Sequence, residues 1–152
     1  MNKALSMKAF TLIELLLVML IMALILASGV AGFIKIRDRQ ELRGGTTSIR
    51  QSMGLAHQHA VTKRERVYIA FSAVGASPGW FKIANNVGLI GETNYMPPGV
   101  RLFPPPTNIW FYPGGNVDNP GTNCVVLTHK TVPGTNVITV YNLTGLVDVE
   151  EK

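Results

Sequence analysis

The sequence predicts an α+β fold in which a long N-terminal hydrophobic helix continues into an amphipathic helix packed on an antiparallel β-sheet head. Residues 15–34 carry no charge, and a helix of that length spans about 30 Å, the thickness of a bilayer core. Beyond residue 67, short β-branched and aromatic runs alternate with turns rich in Pro and Gly. We therefore divide the 152 residues into a polar leader (1–9), a hydrophobic transmembrane helix (10–36), an amphipathic helix (37–66) and a β-rich globular head (67–152).

One acidic residue, Glu14, lies at the start of the uncharged stretch. A charged side chain in a membrane-spanning helix costs roughly 2.5 to 3.5 kcal/mol on insertion scales, so it usually has a partner. A cut between Ala9 and Phe10 would remove the leader and create a positively charged α-amine four residues before Glu14. If chains stack with an axial offset, the carboxylate of one chain meets the amine of the next inside the apolar layer.

The run AFTLIELL at residues 9–16, followed by an apolar helix, resembles the class III prepilin signal of type IV pilins and type II secretion pseudopilins. The resemblance implies that a prepilin peptidase cuts after Ala9 and methylates the α-amine of Phe10. It also implies that Glu14 serves subunit recognition during assembly. The chain departs from the family at Ala9, where Gly is usual.

A secretory signal peptide is the alternative interpretation of the N-terminus, with residues 15–27 as its apolar region and residues 28–31 as its cleavage site. Two features argue against it. Glu14 stands at the start of the apolar region, and the whole apolar stretch exceeds the roughly 7 to 15 residues that such a region needs.

The residues after the anchor predict a second, water-facing helix. Residues 35–43 mix charges, whereas Gly44-Gly45 weakens the helix by roughly 1 kcal/mol per glycine, so we expect a bend or a loosened turn there. The hydroxyls at residues 46–48 could cap a restarted helix. Four residues at spacings of four, three and four then form one apolar stripe: Ile49, Met53, Ala56 and Ala60.

The head contains short runs typical of strands, at 67–71, 80–83, 100–103, 108–112, 124–128, 137–141 and 146–149. Their connections are too short for crossover helices, which favours antiparallel pairing, with the last two runs as a hairpin. The helix ending in basic residues, the turn FYPG at 111–114 and the final strand-Gly-strand resemble the GspH/FimT group of minor pilins and pseudopilins. That resemblance implies the pilin fold, a kinked N-terminal helix whose second half packs on antiparallel sheet.

No residue pattern predicts catalysis, a metal site or a cofactor. His57 and His59 project about 200° apart on a helix, so we expect both in solvent, and His129 is expected at a strand end. Cys124 is the only cysteine, which rules out an internal disulfide and favours a small buried residue. The other candidates have structural explanations: a charged C-terminal tail at 150–151, and a turn at 142–144 that matches a glycosylation acceptor. We expect the protein not to be an enzyme.

Two classes of function remain. In the first, the chain is a minor pilin or pseudopilin that primes or caps a fibre, with a prepilin peptidase and other pilin subunits as partners. It would cross the bacterial inner membrane once before assembly and lie in a periplasmic or extracellular fibre afterwards. In the second, the head captures DNA through a basic cluster, which we define as Lys63, Arg64 and Arg66. A major pilin is a third interpretation, although many major pilins carry a C-terminal cysteine pair and this chain has one cysteine.

Overall fold

The computed structural model of the protein describes residues 11–73, 76, 78–103, 108–118 and 124–152. Within these residues the fold is α+β, as the sequence predicts. The elements are α1 (Leu12–Lys63), β1 (Val67–Phe71), β2 (Trp80–Asn85), β3 (Leu89–Tyr95), β4 (Val100–Phe103), β5 (Ile109–Phe111), β6 (Val117–Asp118), β7 (Cys124–His129), β8 (Thr135–Val140) and β9 (Val147–Glu151). The chain divides into two compact units, Met1–Ile36 and Arg37–Lys152.

The part of α1 that belongs to the second unit is held by its apolar stripe. The four stripe residues at 49, 53, 56 and 60 are fully buried, which confirms the predicted helix face. The helix runs without interruption through Gly44 and Gly45, where the sequence predicts a bend or a loosened turn. Packing explains the difference, because Gly45 is buried where the helix approaches Leu127 and Met96, and a Cβ there would lie 3.5 Å from each, an ordinary contact distance.

The strands form two antiparallel sheets, where the sequence predicts one. A five-stranded sheet has the order β3-β2-β1-β5-β6, and a four-stranded sheet has the order β4-β7-β8-β9. Antiparallel pairing is confirmed throughout these sheets. The predicted final hairpin is also confirmed, with Ile138 of β8 opposite Val149 of β9.

Two strands, β3 and β6, have no counterpart among the predicted runs. β3 is an edge strand with the sequence LIGETNY, and most of its residues are exposed, so it lacks an apolar alternation. Its hairpin with β2 is fixed by Asn85, whose Oδ1 accepts the backbone N–H groups of Val87 and Gly88 at 3.0 and 2.9 Å. β6 is two residues long, too short to give any periodic signal.

One hydrophobic core joins α1 to both sheets within the second unit. The stripe of α1 shares a single buried cluster with Ile69 and Phe81 of the five-stranded sheet and with Leu127 and Ile138 of the four-stranded sheet. Burial of these side chains, at roughly 1.5 to 3 kcal/mol each, is the main source of stability of this unit. Every alternate residue of β7 and β8 points into the core.

Candidate functional site

The N-terminal part of α1 presents apolar side chains to the outside. Described side chains at 12–27 and 32–36 are exposed, and Leu12 and Phe33 are 79% and 70% exposed. The helix is long and apolar enough to cross a bilayer, with a mean hydropathy of 2.7 over its most apolar window, none of which is buried. Such a segment is consistent with a membrane anchor, although a signal sequence near the N-terminus meets the same criterion of length and hydropathy.

Glu14 lies in the first turn of this helix and is exposed. Its backbone N–H donates to Thr11 at the carbonyl, 3.1 Å away, and at Oγ1, 3.3 Å away. Thr11 is therefore the N-cap residue, and Glu14 is the third residue of the helix. The pattern Thr-x-x-Glu before an apolar run is the signature of a capping box, a signal that the sequence carries at residues 11–14. A negative charge in the first turn also suits the positive end of the helix dipole.

The other N-terminal residues with predicted roles, Ala9 and Phe10, lie outside the described residues, as does the leader that precedes them.

The basic cluster lies where α1 ends. Lys63 is the last residue of the helix, and Arg64 has a φ of 55°, the left-handed conformation that ends a helix. Lys63, Arg64 and Arg66 are all exposed. Glu65 between them is half-buried and accepts a hydrogen bond from Nδ2 of Asn85 at 3.1 Å. The structure thus places three cations at one end of α1, with the intervening carboxylate turned to another partner.

Aromatic rings lie beside this cluster, although none occurs between residues 37 and 66 of the sequence. The guanidinium carbon of Arg66 lies 5.1 Å from the centre of the Tyr112 ring, within cation–π range. The Tyr112 hydroxyl donates to Asp118 at 3.2 Å. On β1, Tyr68 packs against Trp110, its partner on β5, with ring centres 4.6 Å apart and ring planes tilted by 41°. Arg66 and Tyr112 are 46 positions apart in the sequence, which explains why local sequence patterns give no signal for this contact.

Two of the three histidines, His57 and His59, are more buried than the sequence predicts. His57 is half-buried: its Nε2 lies 3.1 Å from the carbonyl of Gly115, and its ring meets Phe111 edge-on at 6.2 Å. His59 is half-buried as well and lies 3.3 Å from Glu65. The prediction that these two side chains lie free in solvent is wrong, because the turns at Gly115 and Gly145 pack against His57, and Glu65 lies beside His59.

His129 does end strand β7, as predicted, yet its side chain is only 3% exposed. One ligand atom of His129, one of Asp38 and one of Glu41 lie within 4.8 Å of one another. The sequence patterns predict no metal site, since Asp38 and His129 are 91 residues apart and belong to different elements. This group is the strongest cluster of metal-ligating side chains in the described residues.

The remaining candidate residues have structural positions. Cys124 begins β7 and is half-buried rather than fully buried. Glu150 and Glu151 are not a free tail, since both belong to β9, and Glu151 forms an ion pair with Arg43 at 3.3 Å. The motif at 142–144 lies in a turn, as predicted.

Comparison with known proteins found no protein family, no curated protein and no solved structure that matches the chain.

Proposed function

We propose that this chain is a minor pilin or pseudopilin, a subunit that joins a type IV pilus or a type II secretion pseudopilus through its N-terminal helix and primes or caps the fibre. The observation that carries the proposal is the position of Glu14. It is a carboxylate in the first turn of a helix, directly before a stretch without charges, residues 15–34, that is long enough to cross a bilayer. The prepilin-like run at 9–16 and the α+β head with antiparallel sheets support the same assignment.

The proposed chemistry of assembly is charge pairing in a medium of low polarity. Cleavage after Ala9 creates an α-amine at Phe10, and the Glu14 carboxylate of a neighbouring subunit neutralises it. An isolated charge in hydrocarbon is costly, so the pair forms only in the correct axial register. The exposed apolar side chains around Glu14 then pack against equivalent helices of other subunits.

Partners and location follow from this proposal. A prepilin peptidase processes and methylates Phe10, the inner membrane holds the single helix until assembly, and other pilin or pseudopilin subunits surround it in a periplasmic or extracellular fibre. The pilin fold, with the second half of α1 packed on sheet, is part of the proposal.

Intact mass spectrometry of the protein extracted from bacterial membranes tests the proposal. We expect a mature chain that begins at Phe10 and carries one extra methyl group. A chain that begins near Val30 or Ala31 would identify a secretory signal peptide and contradict the proposal. The variant Ala9→Gly is the matched control, because it restores the residue usual in the family and should be processed at least as well.

DNA capture is the second candidate function, and the surroundings of Arg66 favour it. Sequence-independent DNA binding needs exposed cations for the phosphates, and stacking on aromatic rings adds affinity for unpaired bases. The basic cluster supplies three exposed cations, and Tyr112 supplies a ring against Arg66. Since Tyr112 already contacts Arg66 and Asp118, this arrangement offers fewer free groups than a dedicated nucleic-acid surface. We therefore place DNA capture second.

A further inference from the structure

The cluster formed by Asp38, Glu41 and His129 joins α1 to the end of strand β7. Asp38 and Glu41 are three residues apart on α1, so their side chains lie on one face of the helix. Their ligand atoms and one of His129 all lie within 4.8 Å of one another. All three residues belong to the second compact unit, Arg37–Lys152.

The buried nitrogen of His129 is what distinguishes this cluster from an ordinary group of acids. His129 is 9% exposed as a residue, and its Nε2 atom is buried without a hydrogen-bond partner in the described part of the chain. This nitrogen faces Oε2 of Glu41 at 3.7 Å, too far for a hydrogen bond. A buried polar atom without a partner loses its hydration and gains nothing in return, so a native protein usually gives it one.

The neighbouring contacts leave Nε2 as the available ligand atom. The other ring nitrogen, Nδ1, lies 3.1 Å from the hydroxyl oxygen of Thr131. The Thr131 hydroxyl itself donates to Asp38. The backbone N–H of Thr131 also points to Nδ1, at 3.4 Å, so without a metal ion Nδ1 can accept this bond while Nε2 carries the proton. When Nδ1–H instead donates to the Thr131 hydroxyl and that hydroxyl donates to Asp38, Nε2 presents a lone pair toward Glu41, and a cation between these two electron-rich atoms takes the place of the proton.

The charges around the site suit a divalent ion. Arg37 donates from Nε to Oε1 of Glu41 at 2.8 Å, which orients the carboxylate and leaves Oε2 facing His129. Asp38, Glu41 and Arg37 together carry one net negative charge, so a divalent cation changes the local charge from minus one to plus one. A metal-ligating histidine and carboxylate are commonly oriented by such outer hydrogen bonds.

We propose that Asp38, Glu41 and His129 bind a divalent first-row transition metal, for which zinc is the probe. One imidazole and two carboxylates are donors that Zn²⁺ accepts, with water completing the coordination. Zinc bonds of about 2.0 to 2.2 Å in a tetrahedron set ligand atoms roughly 3.4 Å apart. The separation of 3.7 Å between Nε2 and Oε2 is already close to that spacing. The ion ties α1 to the end of β7 and stabilises the second unit.

Gly99 is the residue that positions the imidazole. Its φ is +84°, and a Cβ built there would lie 2.6 Å from Nε2 of His129, so a side chain at this position would displace the ring. The backbone carbonyl of Gly99 also accepts the N–H of Lys130 at 3.0 Å, which fixes the segment next to His129.

Zinc titration of the full chain in detergent tests the proposal. The protein is first stripped with EDTA, and Zn²⁺ is then added in competition with a chromogenic zinc chelator. We expect one zinc ion per chain and a higher melting temperature with zinc than without it. His129→Gln should lower the zinc affinity at least about tenfold and abolish the shift in melting temperature, as expected for loss of a metal ligand.

His59→Gln is the matched control, because His59 also has a buried ring nitrogen without a hydrogen-bond partner in the described residues and faces one carboxylate, that of Glu65, rather than two. This control should bind zinc like the unsubstituted chain. The proposal is overturned if His129→Gln and the unsubstituted chain bind zinc with equal affinity. It is also overturned if the unsubstituted chain binds no zinc at 100 µM free zinc, because its binding free energy is then weaker than about −5.5 kcal/mol. If His129→Gln fails to fold, as judged by circular dichroism, the near-isosteric Asp38→Asn and Glu41→Gln variants carry the same expectation.

Discussion

Asn136 of β8 donates a hydrogen bond from its side-chain amide to the hydroxyl of Thr46 on α1, over 2.9 Å, and both residues are buried. The Thr46 hydroxyl donates in turn to the carbonyl of Leu42, one turn earlier on the helix, at 2.9 Å. The sequence offers the hydroxyls at 46–48 as caps in case the helix restarts, whereas in the structure the helix continues and Thr46 forms a bridge in the middle of it. This bridge joins α1 to the four-stranded sheet next to the close approach of Gly45.

The first prediction concerns this bridge. Thr46→Val keeps the shape of the side chain but removes the acceptor of Asn136, so a buried amide loses its partner. We expect the free energy of unfolding to fall by about 1 to 3 kcal/mol. Urea unfolding of a 37–152 fragment, which retains the whole buried core, measures the effect.

Thr47→Val is the control for this substitution, because Thr47 is exposed and its loss should cost less than about 0.5 kcal/mol. The double variant Thr46→Val with Asn136→Leu should cost less than the two single variants added together, since it leaves no unpaired polar group. Strict additivity would contradict the bridge.

The second prediction concerns Gly145, where two turns meet His57. The φ of Gly145 is +62°, and a Cβ there would lie 2.5 Å from Cδ2 of His57 and 2.9 Å from the backbone oxygen of Gly115. Gly145→Ala should destabilise the fold by roughly 2 to 5 kcal/mol, the sum of backbone strain and overpacking. Thermal and urea unfolding of the 37–152 fragment measures this loss.

Gly91→Ala separates the two causes, because Gly91 also has a positive φ, +81°, but nothing lies within 4 Å of a Cβ there. It should cost only the strain, about 1 to 2 kcal/mol. Equal losses in the two variants would mean that His57 simply moves away and that the packing around it is soft.

The sequence predicts the periodic parts of this fold well and the long-range contacts poorly. The stripe from Ile49 to Ala60 and the strands from β7 to β9 carry regular apolar spacing, and the structure has them where that spacing predicts. β3 was not predictable in this way, because an exposed edge strand has no face to bury. The pairs Arg66–Tyr112 and Glu41–His129 depend on tertiary packing between distant residues, which no local spacing records.

The third prediction concerns the charge of Glu14. Glu14→Gln keeps a side chain that can complete a capping box, yet removes the charge proposed to pair with the α-amine of a neighbour. We expect Glu14→Gln and Glu14→Ala to lower the amount of protein in sheared fibres to a similar extent while the amount in the membrane stays unchanged. Immunoblots of the two fractions measure this.

Thr11→Ala is the control for the third prediction, because it removes the hydroxyl that accepts the Glu14 N–H and leaves the carboxylate in place. It should cost about 1 kcal/mol of helix stability and leave most of the protein in the fibres. If Glu14→Gln reaches normal levels in the fibres, the charge of Glu14 is not needed for assembly. If the fibre defect of Thr11→Ala is as large as that of Glu14→Ala, the role of Glu14 is to cap the helix.

The last prediction decides between the structural and the DNA-capture functions. If Lys63, Arg64 and Arg66 each neutralise one phosphate, log K for duplex DNA should fall with log salt at a slope of about 2.7, since each contact contributes about 0.9. The double variant Arg64→Glu with Arg66→Glu should abolish DNA binding. The control is Arg39→Glu with Lys130→Glu, which makes the same charge change at two other exposed positions and should leave binding intact.

Gel-shift titration of the 37–152 fragment at low salt measures these affinities, and thermal unfolding checks that each variant is folded. Tyr112→Phe adds a sharper test, because it keeps the ring against Arg66 and removes only the hydroxyl bonded to Asp118. If bases stack on this ring, binding of single-stranded DNA should survive Tyr112→Phe and weaken in Tyr112→Ala by about 1 to 3 kcal/mol. We expect that the unsubstituted fragment does not retard DNA even at high micromolar concentration. Three exposed cations are few, and Tyr112 already contacts Arg66 and Asp118. This result would leave the minor pilin as the proposed function of the chain.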